Sequence, residues 1–525
     1  MQESTTSQVE PFTAGLLSIT GRWDGSWPEA EAYVEAGDPA MFWQNPGGDV
    51  RILGVGAQRR EARIPDEGRV HGGRAIPRRP VDTQEPTAQS QRTCELFLDG
   101  LEDDPTRPMG LVGLGSFPFD GTVDSSQPDG AGAEWGDFGN GFFFVPSVCW
   151  QGSAQAVHTV TVTINMCELT ESERRDVLAN PRAAWSSVLV HRRESPGSAG
   201  HGQHDETPLK ETRAPLLTGH ESANRSLGRI LGSDNRQDTR TDRTVSVTVH
   251  SQDRWPDLVR GAQQMERSSA SPLQKIVVAR SVQIHAGSAI SIPRVVSGLL
   301  RGQSDTYVFC LSDGRRAFVG ATPERLLLAT PSIFASACIA GSAPRGEDDE
   351  ADARIEQQLR HSSKNIGEHQ FVVDFIKGVI AQFSAGSVRA SERDVLKNRD
   401  IQHLAVRIEG ERRPGIPFLQ VLDALHPTPA LAGAPQQEAL AWLRTHEHET
   451  RGLFGGPVGW WRPQKDVGEY AVGIRSALVD GTDARAYAGC GIVPESDPAE
   501  EWNETAIKLR PIIRALKEAC GEAVG

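Results

Sequence analysis

Tyr487-Ala-Gly-Cys-Gly-Ile-Val493 leads, after a short turn, into Pro498-Ala-Glu-Glu-Trp-Asn-Glu-Thr505. The first stretch is small and apolar, and it reads as a buried strand ending Ala484 to Val493. Its glycines let a ligand approach the backbone closely. The second stretch opens a helix from about Pro498 to Ala519. On that helix Glu501 and Glu504 stand three residues apart and share a face, with Lys508 one turn later. An acidic first turn is usually a solvated helix start, favoured by the helix dipole. The glycine-rich strand just before it points instead to a ligand. Glu368-His369, on another helix, offers one more carboxylate, and Asn365 shares its face. Mg²⁺ is commonly held by one or two protein carboxylates together with waters and a substrate anion. If the two acidic clusters meet, they form such a site for an anionic small molecule.

Outward from this stretch, strands and helices mix without strict alternation. Lys275 to Arg280 is a strand, Tyr307 to Leu311 and Ala317 to Ala321 make a hairpin around Ser312-Asp-Gly, and Val458 to Trp461 and Tyr470 to Arg475 are further strands. Ala351 to Phe383 carries apolar residues at helical spacing and is expected to be one long helix. In the N-terminal half, Met109 to Phe119, Gly141 to Pro146 and Ala156 to Asn165 are strand-like. Residues 59–92 and 195–242 are polar, rich in Gly, Arg and Ser or Pro, and read as insertions, disordered by default. The order is α+β with antiparallel hairpins.

Composition narrows the function. The chain has 525 residues, 38% hydrophobic and 24% charged, which is ordinary for a globular protein with a large core. A net charge of −14 argues against a nucleic-acid partner. The seven cysteines are odd in number and lack CxxC spacing, so a reducing cytoplasm is expected. The first fifteen residues do not read as a signal peptide, and no apolar run reaches the roughly 20 residues of a membrane span.

Two ionisable residues stand out in apolar settings. Lys275 opens an otherwise apolar strand. It is either a lysine reaching solvent at a strand edge or a buried amine able to act as a base. Glu324 follows Gly320-Ala-Thr-Pro at a strand end. It is either paired with Arg325 or a carboxyl kept protonated by its surroundings.

Eight stretches together resemble the chorismate-utilising enzymes, a family that includes isochorismate, salicylate, anthranilate and aminodeoxychorismate synthases. They are Ser271 to Arg280, Phe318 to Leu326, Ile339 to Gly346, Lys364 to His369, His426 to Ala430, Arg451 to Trp460, Ala471 to Ser476, and Tyr487 to Val493 continuing through Thr505. The resemblance spans about half the chain, from residue 255 to about 520, in family order. It implies an α+β fold of two stacked antiparallel sheets, a sandwich surrounded by helices. Residues 255–525 would be the catalytic part, and residues 1–254 would add strands to the same fold. The resemblance also implies Mg²⁺ held by Glu368 and Glu504, with Glu501 acting through water. Relatives often carry an acid where this chain has Asn365, which lessens the outer negative charge.

Lys275 fits the water-adding branch, since anthranilate synthases have an uncharged residue there; Ala340 stands where aminodeoxychorismate synthases carry a lysine. Isochorismate synthase is therefore implied, with Lys275 as base and Glu324 as acid. Ser342, His403, Arg475, Lys508 and the backbone at Gly489 and Gly491 would bind chorismate. The product would enter menaquinone or siderophore synthesis, and a cytoplasmic monomer without a membrane or nucleic-acid partner is expected. The alternatives are a salicylate synthase, an anthranilate-synthase-like enzyme, and an inactive paralogue that only binds ligand.

Overall fold

The computed structural model describes residues 16–23, 27, 39–61, 94–98, 100–120, 134–191, 245–249, 253–447 and 449–521. Among these, 21 strands join into one hydrogen-bonded network. Leu16–Arg22 and Cys94–Phe97 run parallel, and the pairings that frame the cleft are antiparallel. The two halves of the chain share this network. Ala40–Gln44 pairs with Tyr307–Ser312, and Gly113–Ser116 pairs with Pro457–Arg462. The network folds into layers that enclose an aromatic interior, in keeping with the expected α+β fold. Trp43, Phe309 and Phe318 meet Phe142, Leu114 and Trp460 there.

Helices cover the outer faces. Pro498–Ala519 lies on the strand Asp483–Ile492 and on the helix Ile292–Gly302. Its register follows from its apolar residues: Leu509, Ile512, Ala515, Leu516 and Ala519 are buried. That spacing is the helical period, and it turns Glu501 inward while Glu504 is left half-buried. Asp497 caps the helix by accepting from the amides of Ala499 and Glu500.

The helix expected over Ala351–Phe383 is two helices, Asp349–His361 and Ser363–Phe383. Ser362 breaks it. Its backbone is extended, with φ −69° and ψ 111°, and its hydroxyl accepts from the Asn365 amide. Serine capping competes with helix continuation, and here it starts the second helix afresh. In the stretch Met109–Phe119 only Gly113–Ser116 is strand. The insertions 59–92 and 195–242 lie outside the described residues, apart from the end of the strand Arg51–Glu61. No described helix is long and apolar enough to cross a membrane.

Candidate active site

A cleft with about 730 Å³ of empty space, its mouth included, is lined by Lys508, Glu324, Glu368, Ser342, His403 and Arg475. The glycine-rich strand supplies its floor through Gly489, Cys490 and Gly491.

Lys275 is the first residue of the strand Lys275–Ala286 and is 0% exposed. It does not reach out to solvent. Its Nζ lies 3.0 Å from Glu368 Oε1. The contact is close but is not a well-directed hydrogen bond. Gly491 leaves the room this pair needs. A methyl there would come within 2.3 Å of Glu368 Oε1 and 2.9 Å of Lys275 Cε.

Glu324 follows the strand Arg316–Thr322 and is 3% exposed. Burial pushes its carboxyl up to about 8, against the pull of Lys275, Arg475 and Lys508. It therefore carries a proton at neutral pH. Arg325, its sequence neighbour, bonds to Glu469 at 2.9 Å instead.

The helix-borne acids each have a lysine. Glu501 meets Lys364 at 2.8 Å, and Glu504 meets Lys508 at 2.6 Å. Burial and the charge of Glu504 hold Glu501 above the usual carboxylate range. Burial would also raise Glu504, but the Lys508 charge and hydrogen bond outweigh it and hold it low. Lys508 also donates to the Gly489 carbonyl at 2.9 Å, so this glycine presents its oxygen to a lysine. Among the described residues no three His, Cys, Asp or Glu side chains stand together as a ready-made metal cluster.

Ser342, His403 and Arg475 form a chain. His403 Nδ1 is 2.9 Å from Ser342 Oγ, and its Nε2 is 3.0 Å from an Arg475 terminal nitrogen. Burial, reinforced by the Arg475 charge, holds His403 well below its ordinary range, so it is neutral. Asn365, which shares the helix face of Glu368, accepts from the Ser342 amide at 3.2 Å. His369 is fully buried; its Nδ1 lies 3.2 Å from the Ala340 carbonyl, and burial lowers it to about 4. It fastens the helix to the sheet.

Two further residues of the family-like stretches, Lys364 and Arg451, belong to the site. Lys364 stands four residues before Glu368 and feels the charge of Glu501, Glu504 and Glu368. That helical spacing was the signal available in the sequence. Arg451 is buried beside the cleft, donates to the Val277 and Leu431 carbonyls, and is paired with Glu447 at 2.5 Å. Nothing local marks it.

A sequence profile described as chorismate binding enzyme matches residues 212–517. The chain belongs to this family. Chorismate-binding enzymes with similar sequences include the isochorismate synthase MenF of Bacillus subtilis. It is 41% identical over 243 residues, which is 46% of this chain and 51% of that protein. The isochorismate synthase EntC of Escherichia coli is 33% identical over 283 residues, covering 53% of this chain and 72% of EntC. The first two matches span about half the length of the curated relatives, 51% and 52%. In the solved structures, the menaquinone-specific isochorismate synthase MenF of Escherichia coli superposes with a TM-score of 0.65 at 21% identity. It covers 97% of this chain and 96% of its own, which shows a shared fold.

Proposed function

We propose that the protein is an isochorismate synthase, which converts chorismate into isochorismate. The observation that carries this reading is a pair of buried groups at one cleft: Glu324 lines it, and Lys275 stands behind its wall, 3.0 Å from the lining residue Glu368. An isomerisation that adds water at one ring carbon and expels hydroxide from another needs one base and one acid at the same time. A carboxyl pushed up to about 8 is an acid still protonated at neutral pH. Similarity to relatives named isochorismate synthase supports the same reading.

The steps balance as follows. Lys275, as the free amine, takes a proton from water while the water oxygen bonds to C2. The ring double bonds shift, the C4–oxygen bond breaks, and Glu324 gives its proton to the departing oxygen. Water enters, water leaves, and solvent returns the proton from the Lys275 ammonium to Glu324. Arg475, Lys508 and Ser342 would hold the carboxylates and oxygens of the substrate, with His403 beside them.

The donor set suits a hard divalent cation. It is made of carboxylate oxygens, and Glu368 and Glu504 are partly open, with side-chain exposures of 15% and 28%. One or two such ligands suffice for Mg²⁺. Glu368 and Glu504 would hold it, and Glu501 would reach it through water. When bound, the ion supplies a fixed positive charge that anchors the substrate carboxylate.

Identity to MenF at 41% exceeds that to the vibriobactin-specific isochorismate synthase of Vibrio cholerae at 33%. This favours menaquinone over siderophore synthesis. The test is incubation of the purified protein with chorismate and Mg²⁺, with products separated by chromatography. Isochorismate is expected. Salicylate with pyruvate would make it a salicylate synthase, anthranilate in the presence of ammonia an anthranilate synthase, and no product a binding paralogue.

A further inference from the structure

The chain Arg475, His403, Ser342 has a direction that follows from which atoms carry hydrogen. An arginine only donates. Its terminal nitrogen lies 3.0 Å from His403 Nε2, so Nε2 must be the accepting, unprotonated nitrogen. In a neutral imidazole the hydrogen then sits on Nδ1. His403 is neutral, because burial and the neighbouring Arg475 and Lys508 charges oppose an imidazolium. Nδ1 is 2.9 Å from Ser342 Oγ, and a protonated Nδ1 cannot accept from that hydroxyl. The Nδ1 hydrogen also faces the Gly341 carbonyl, which favours it there; toward the ring the serine oxygen can only accept, and the hydroxyl hydrogen must point elsewhere.

No other described residue takes that hydrogen. The Asn365 side chain is engaged with the Ser342 amide and with Ser362. Ser342 lines the cleft. Arg475 adds a second unmet donor at the same place. It is 6% exposed, and its other terminal nitrogen is buried without a hydrogen-bond partner. Its backbone is left-handed, with φ 54°, a strained setting for a side chain of this size. Such strain persists where the surrounding structure fixes a functional residue. Burying an unmet donor is costly, and a ligand oxygen would remove that cost.

We infer that His403 is a positioning residue: held with its hydrogen on Nδ1, it makes the Ser342 hydroxyl an obligate donor to a substrate oxygen, alongside the free Arg475 nitrogen. The inference rests on the chorismate reading of the cleft. It assigns to His403 no proton transfer during turnover. The reacting protons belong to Lys275 and Glu324, while His403 sets the polarity of the binding wall. This polarity selects a ligand group that only accepts, such as a carboxylate or ether oxygen.

The first test needs no turnover. In the ¹⁵N-labelled full-length protein, the His403 ring is assigned by its loss in His403→Gln. Its shifts should report a hydrogen on Nδ1 and none on Nε2, unchanged between about pH 5 and 8. A hydrogen on Nε2, or an imidazolium in that range, overturns the inference whatever the enzyme makes.

The second test measures chorismate affinity in a Lys275→Ala background by intrinsic fluorescence. Ser342→Ala should weaken binding roughly tenfold with His403 present, the size of one lost hydrogen bond, and under about twofold in His403→Leu. His403→Gln should rescue, because its amide oxygen accepts from Arg475 while its amide nitrogen donates to Ser342. Equal losses from Ser342→Ala in both backgrounds, or a His403→Gln as weak as His403→Leu, would refute the role. Failure to form isochorismate with both tests satisfied would instead overturn the reaction, and leave the binding wall as described.

Discussion

Two sets of side chains gather in and behind the walls of one cleft and are built on different principles: Glu324, Ser342, Glu368, His403, Arg475 and Lys508 line it, while Lys275 and Glu504 touch lining residues from behind. The helix-borne set is Glu368, Glu501 and Glu504, each with a lysine in contact: Lys275, Lys364 and Lys508. The sheet-borne set is Lys275, Glu324, Ser342, His403 and Arg475, buried or nearly so, and two of its members hold nitrogens without hydrogen-bond partners. Charges on helices can be balanced by other long side chains, and the balance can change when a cation or anion arrives. Groups at strand ends have no such freedom, since the ladder fixes the backbone and burial fixes the protonation state. The molecule keeps its adaptable charge on helices and its fixed chemistry on strands.

The sharpest way to break this division is Lys275→Ala, which removes the one residue that belongs to both sets. Isochorismate formation, followed by chromatography, should fall by roughly 10³-fold, the scale of losing a general base. The fold should remain, because the lost amine makes no directed hydrogen bond. Retained activity would move the base elsewhere.

Glu324→Gln comes next. Removing the acid should lower turnover by roughly 10²-fold or more. In the native enzyme the rate should decline as pH rises through about 8, because the carboxyl then loses its proton. An alkaline decline that survives in Glu324→Gln would show that another group sets it.

Glu504→Gln probes the helix-borne set. Mg²⁺ affinity, measured by calorimetry, should weaken at least tenfold, since even supporting groups around a metal typically cost about 10–100-fold. The Glu324 alkaline limb should stay in place if the two sets are independent. A shift of that limb would tie them together.

The smallest effect is on stability. Glu324 is protonated more readily in the folded protein than when unfolded, so its contribution is stabilising at low pH and is lost as pH rises. Glu324→Gln should therefore melt progressively higher than the native protein as pH rises from about 4.5 to about 8. A constant difference across that window would mean the carboxyl is not desolvated.

Much of this site was legible in the chain. The strand at Lys275, the hairpin around Ser312-Asp-Gly, and the helix from Pro498 to Ala519 stand where periodicity and turn residues place them. These are local signals, carried by spacing within a few residues. The break at Ser362 does not show in the periodicity, because a serine cap competes with a helical apolar pattern that continues on both sides of it. Asn365 looked like part of a metal shell because it shares a helix face with Glu368. Its actual partner, the Ser342 amide, comes from a strand 23 residues away.

By itself the sequence determined which residues carry charge in apolar surroundings, which acids share a helix face, and where glycines admit a close neighbour. Only the tertiary structure decided their states. Burial by strands distant in the chain keeps Glu324 protonated, and His403 becomes neutral and directional only between Ser342 and Arg475. Protonation and hydrogen-bond direction depend on dielectric and on partners brought together from far along the chain. Local sequence spacing cannot supply either one.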